Sequence, residues 1–363
     1  MPGARGDSRK TALAAAALPA LAALLIGAGQ AVEPRWNWGD ATEWRDNDGD
    51  YARSQALCRA VRAREPPAAH RPPADTGPRA DDCDSGALYY GHGGRPDPAR
   101  ARRCAFLEAE TEQPAGDWPF GGRAMLMTIY ANGAGVPRDL DLAIRYACEL
   151  NSAPAESHGR VMHLAGMKGE AAPDEFHYCD DVTSGLAGGQ CAAFEQRRRN
   201  AGRAAELRAL TAGWSAAERA ALARLAGAFS AFEEALVEGE VDLRGTLRGA
   251  FAVAAEDRLR DQHLDMLRRL ARGRAPRFGA AQLQSADARL NRGYRSAMAG
   301  LRADSEENCC GAPTAEGLRR SQRAWLRYRD AFIAFAAVKF PDYPRAQLVA
   351  WLIRNRLQTM GAQ

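Results

Sequence analysis

The chain has 363 residues, 46% of them hydrophobic and 26% charged, with 49 basic and 45 acidic side chains. That length leaves room for two domains with cores of their own, and the balance is that of a soluble globular chain rather than a disordered or membrane-embedded one. The net charge of +4 conceals a division: residues 32–200 carry 20 basic and 26 acidic side chains, and residues 201–363 carry 26 and 18.

The chain opens with Arg5, Arg9 and Lys10, then an apolar run from Ala12 to Ile26 interrupted by Pro19, then the small residues "GAGQA". This layout predicts a secretory signal over residues 1–31, cut after Ala31, with an uncleaved anchor as the competing reading. The remainder is then expected to be periplasmic or secreted, with no membrane span after cleavage. In an oxidising compartment an even number of cysteines reads as disulfides. Cys58, Cys83, Cys104, Cys148, Cys179 and Cys191 are the candidates. Local spacing predicts a Cys179–Cys191 bond, and Cys58–Cys83 and Cys104–Cys148 would join neighbouring hairpins. The adjacent Cys309 and Cys310 could bridge each other only through a strained ring, so they are free or paired with another chain.

Residues 32–82 form a Pro- and Trp-rich leader and linker: Trp36, Trp38 and Trp44, a short helix around "YARSQALCRAVRAR", then "EPPAAHRPPADTGPR". "DNDGD" at 46–50 lacks the glycine and glutamate positions of an EF-hand and reads as a solvated turn. Two segments between Cys83 and Leu150 share a plan. In each, a helix ends in Tyr, a Gly-rich turn follows (Gly91, Gly93, Gly94; Gly133, Gly135), and a second helix carries Ala and Cys. "YANGAGVPRDLDLAIRYA" resembles a Sel1-like repeat. The resemblance implies stacked αα-hairpins over 83–195 that contact other proteins.

Chemistry is scarce. "HYCDDVTSGLAGGQC" offers thiols and an imidazole but no C-x-x-C, so a disulfide is preferred to zinc. "HGG" at 92–94 has no G-x-S-x-G to supply a nucleophile, and no H-E-x-x-H, P-loop or dinucleotide fingerprint occurs. The expectation is no catalytic residues, no metal, no cofactor and no enzyme.

The basic half, 200–363, shows helical spacing throughout, so the fold class is all-α: αα-hairpin repeats followed by a helical bundle. A helix is expected to end at Gly273, and the next to be capped by Ser285 or Asp287. In "GLRRSQRAWLRYRDAFIAF" (317–335), Leu318, Trp325, Tyr328, Phe332 and Phe335 form one stripe that packs inward, while Arg320, Arg323 and Arg327 face solvent. Nucleic-acid stacking would need those rings exposed, so no nucleic-acid partner is expected. The stripe recurs 103 residues earlier at Leu222, Leu225, Phe229 and Phe232, as a pseudo-repeat or through similar packing demands.

"ADARLNRGYRSAM", "LRRSQRAWLRYRD" and "WLIRNRL" together resemble the LprI-type lysozyme-inhibitor N-terminal domain. The matching positions are Asp287, Leu290, Asn291, Tyr294, Gln322, Trp325, Tyr328, Arg329 and Asp330. The resemblance implies an exported non-enzymatic protein whose partner is lysozyme or another envelope protein. Asn291, Gln322, Arg329 and Asp330 then read either as a buried polar network tying helices together or as groups that plug lysozyme's carboxylate cleft. A basic half is repelled by strongly basic lysozymes, so the acidic half would supply any steering.

Overall fold

The structure is a computed structural model describing residues 36–42, 50–73, 82–92, 94–111, 119–169, 174–303 and 311–361. The signal segment 1–31, Trp44, the acidic stretch 46–49, Gly93, Cys309 and Cys310 lie outside these. Among the described residues the regular structure is helical, without strands. No helix among them is long and apolar enough to cross a membrane.

The first six helices are α1 (Ala52–Val61), α2 (Ser85–Tyr90), α3 (Pro98–Thr111), α4 (Gly122–Asn132), α5 (Leu140–Cys148) and α6 (Pro154–Gly166). Their apolar faces build one core around Met125, Tyr130, Ile144, Val161 and Phe176. Trp38 belongs to this core: it is fully buried, and its indole N–H donates to Ser54 Oγ at 2.8 Å.

The α2–α3 and α4–α5 hairpins repeat each other in hydrogen-bond detail. Gly91 and Gly133, 42 residues apart, end α2 and α4 in the left-handed conformation at φ 71° and 66°. A side chain there would be strained, which explains glycine at both turns. His92 N–H then bonds to Ala87 O, and Ala134 N–H to Ile129 O. Asp97 N–H bonds to Leu88 O, and Asp139 N–H to Tyr130 O. Asp97 and Asp139 finally accept from Arg100 N–H and Leu142 N–H, so each aspartate starts the second helix of its hairpin.

Disulfides tie this region at three points. Cys179–Cys191 forms as its spacing predicts. The other two bonds are Cys58–Cys148 and Cys83–Cys104, not Cys58–Cys83 and Cys104–Cys148. The reason is topological. Helix α1 packs on α5 and α6 instead of on α2, which places Cys58 beside Cys148. The segment entering α2 folds back on α3, which brings Cys83 to Cys104 within a single hairpin.

The second half contains α7 (Gly185–Thr211), α8 (Ala216–Glu240), α9 (Arg248–Ala271), α10 (Ala280–Ala303), α11 (Ala315–Lys339) and α12 (Arg345–Thr359). Helix α7 starts in the first core with Cys191 and Phe194 and runs past residue 200 to place Leu207 and Leu210 against the second core. Residue 200, where the charge balance changes sign, is therefore mid-helix. Helix α8 begins with a capping box: Ser215 Oγ accepts from Glu218 N–H while the Glu218 carboxylate accepts from Ser215 N–H. Helix α9 ends as predicted, with Gly273 at φ 63°. Helix α10 starts earlier than predicted. Gln282 Oε1 accepts from Gly279 N–H at its head, so Ser285 and Asp287 lie inside the helix and do not cap it.

Helices α8 and α11 form the spine of the bundle and run antiparallel. Glu218 meets Lys339 at one end (2.9 Å), and Gly239 meets Gly317 at the other. A Cβ on Gly317 would come within 2.6 Å of the Gly239 backbone, so only glycine allows the two helices to touch there. Between these ends lie the predicted stripes: Leu318, Trp325, Tyr328, Phe332 and Phe335 are each at most 5% exposed. Tyr328 packs on Phe229 and Phe232 at ring distances of 5.5 and 5.7 Å.

Candidate interaction surface

The family-motif residues divide by environment. Leu290, Trp325 and Tyr328 are buried and belong to the second core. Tyr328 Oη lies 2.9 Å from His263 Nδ1, and that imidazole stacks on Phe229 at 4.3 Å. Burial among these rings holds the His263 pKa down at about 4 and pushes Tyr328 up. A neutral imidazole and a neutral phenol thus share one buried hydrogen bond.

The four polar motif residues do not form one network. Asn291 and Asp330 are exposed. Arg329 bonds to its neighbour Asp330 (Nε to Oδ1, 2.9 Å) and lies over the Trp325 ring at 5.7 Å. Only Gln322 enters a buried network, through partners that periodicity alone did not identify. Arg356, the second arginine of "WLIRNRL", is 1% exposed. Its guanidinium grips Glu240 with two bonds, of 2.6 and 3.0 Å, and donates through Nε to Gln322 Oε1 at 2.9 Å. Ser321 donates to the same Glu240 carboxylate, and Thr359 Oγ1 accepts from Arg356 at 3.2 Å. This knot fastens the end of α8 to α11 and α12. The available signal was an arginine one turn after Leu352 and Ile353 and next to Leu357, on the apolar side of its helix, a position that burial punishes unless a carboxylate meets it.

What remains exposed defines the surface. On α10, Asp287 and Asn291 are exposed and Tyr294 is half-buried. Their spacing of four and three places them on one flank of the helix. Buried Ala286 and Leu290 mark the side turned towards the core. Arg289 and Arg292 lie on the other flank, where Arg289 shares a groove with Arg354 of α12. The motif flank carries a carboxylate, an amide and a phenol. It can form hydrogen bonds and an ion pair with a cationic protein surface, and it holds no nucleophile and base within reach of each other.

No curated protein and no solved structure matches the chain. A family model described as "Lysozyme inhibitor LprI" matches residues 276–359, the segment comprising α10, α11, α12 and their connections.

Proposed function

We propose that the protein is an exported, non-catalytic binding protein of the lysozyme-inhibitor type, which protects the cell envelope by occluding lysozyme. The observation that carries this reading is the family match over α10–α12, whose polar motif residues Asp287 and Asn291 are presented to solvent instead of being spent on the bundle. The three disulfides suit an oxidising compartment, which supports the periplasmic or secreted location that the signal segment 1–31 predicts. The docking flank is the one bearing Asp287, because arginines on the opposite flank repel a basic enzyme. The purified protein, titrated into lysozyme-driven cell-wall lysis at several salt concentrations, is expected to slow lysis. Asp287→Arg should weaken that effect. No inhibition at large molar excess would remove the reading.

One observation favours a second reading. The 42-residue repetition of hairpin hydrogen bonds supports a Sel1-like interaction scaffold, with the C-terminal bundle as an accessory. Capture from periplasmic extract with the whole protein tests it. The scaffold reading expects a partner that is lost on substituting exposed positions of α3 and α5 and kept in Asp287→Arg. An empty capture counts against it.

A further inference from the structure

We propose that the groove between α10 and α12 is a docking site for an acidic peptide segment carrying one apolar anchor residue. The groove encloses about 120 Å³ and is lined by Phe278, Ala286, Ile353 and Leu357, with Arg289 and Arg354 on its rim. Its volume suits one aliphatic side chain. Arg354 is held above the Phe278 ring at 5.2 Å, which fixes its guanidinium plane while leaving its N–H edge for a carboxylate.

The surrounding charge points to an acidic occupant. Arg277, Arg289, Arg292, Arg295 and Arg354 are all exposed, and none makes an ion pair among the described residues. Several other arginines of the same half do meet carboxylates: Arg203 pairs with Asp257, Arg260 with Glu233, and Arg268 with Glu206. The excess positive charge of this flank is thus uncompensated by the fold. Asp287, the only acid on α10, stands on the other flank.

The recess decides between occupants. A bilayer would be met by protruding apolar side chains, yet the exposed large ones, Leu186, Leu247, Phe251 and Val338, lie on α7, α9 and α11 or beside them. A polyphosphate has no side chain to insert, and the flat, polar-edged base of a nucleic acid suits an open aromatic platform better than a recess lined by Ala286, Ile353 and Leu357. A peptide supplies both carboxylates for the rim and a Leu-sized group for the groove. Because a basic lysozyme is repelled here, this partner is distinct from the one proposed above, and the two inferences fail independently.

The test is fluorescence anisotropy of the purified protein with a labelled peptide of sequence Gly-Glu-Asp-Leu-Glu-Asp-Gly at low salt. Saturable binding is expected. It should weaken at least fivefold when the peptide leucine becomes alanine and at least tenfold when its acids become amides. Arg289→Glu combined with Arg354→Glu should also lower affinity at least tenfold with circular dichroism unchanged. Asp287→Arg should not lower it. If the charge reversals disturb folding, Arg289→Gln with Arg354→Gln serves, with a smaller loss. No binding at millimolar peptide, or binding indifferent to these arginines, would overturn the proposal. Equal binding of the alanine peptide would also overturn it. So would tighter binding to an oligonucleotide or to phosphatidylglycerol vesicles that is lost in the same variant.

Discussion

Replacing Arg356 with methionine tests how the bundle is fastened. The arginine side chain is fully buried and Glu240 is 11% exposed, so each charge relies on the other for the solvation it has lost. Methionine fills much of the same volume but leaves the Glu240 carboxylate with Ser321 as its remaining bond. Removing one member of such a pair costs about 3–5 kcal/mol, mostly as the penalty on the stranded charge. For a unit of this size that lowers the melting temperature by roughly 10 °C. Replacing both residues, Arg356→Met with Glu240→Leu, removes the stranded charge and should recover most of the loss. Thermal melts followed by circular dichroism, for the two single variants and the double, provide the comparison. A single variant within about 2 °C of the parent, or a double variant no better than the singles, would show that the pair is not closed off from water and refute the reasoning.

Four other outcomes are expected. Trp325→Ala should cost about 3–5 kcal/mol, because the indole is 2% exposed in the second core; an unchanged melt would mean that the ring is not packed there. Gly317→Ala should destabilise by about 1–3 kcal/mol despite alanine's better helix propensity, since the added methyl must push α11 away from Gly239; a stabilised variant would contradict the close approach. With the His263 pKa lowered from 6.5 to about 4, the unfolded chain binds more protons than the folded one between those values. Stability should therefore fall as pH drops through that window, by about 2 kcal/mol once partial solvent access is discounted, and His263→Gln should flatten the dependence, as chemical denaturation at pH 7 and pH 4.5 will show. Non-reducing peptide mapping should recover Cys58–Cys148 and Cys83–Cys104, and recovery of Cys58–Cys83 would contradict the packing of α1 on α5.

The parts of this fold legible in the sequence are those set by local periodicity. The stripe from Leu318 to Phe335 repeats at helical spacing, so its burial follows from the pattern alone. Gly91 and Gly133 mark turns because few other residues accept a positive φ. Disulfide partners are not local in this sense. Cys58 and Cys148 are separated by 90 residues and meet only because α1 docks against α5. Nearness in sequence is a sound guide for Cys179 and Cys191 and for Cys83 and Cys104, 21 residues apart, and misleading for Cys58, whose partner lies 90 residues on. The buried knot was hidden for a similar reason. Glu240 ends one helix and Arg356 sits late in another, 116 residues away. Nothing in either neighbourhood names the other.

The likeness between 215–232 and 317–335 now has a physical cause. Helices α8 and α11 are each other's main packing partner and run in opposite directions. In an antiparallel pair each helix must present its large side chains at intervals that the other can receive, so similar spacings arise on both without any shared ancestry. This accounts for the matching rings at Phe229, Phe232, Phe332 and Phe335 and for the lack of correspondence among polar positions, which face different surroundings. The same argument separates architecture from recognition in the family motif. Trp325, Tyr328 and Leu290 are dictated by the bundle, and Gln322 by the need to hold Arg356. Any chain using this bundle needs such residues whatever it binds. The choice of partner must therefore rest on positions that the packing leaves unconstrained: Asp287 and Asn291 on one flank of α10, Arg289 and Arg354 around the groove on the other.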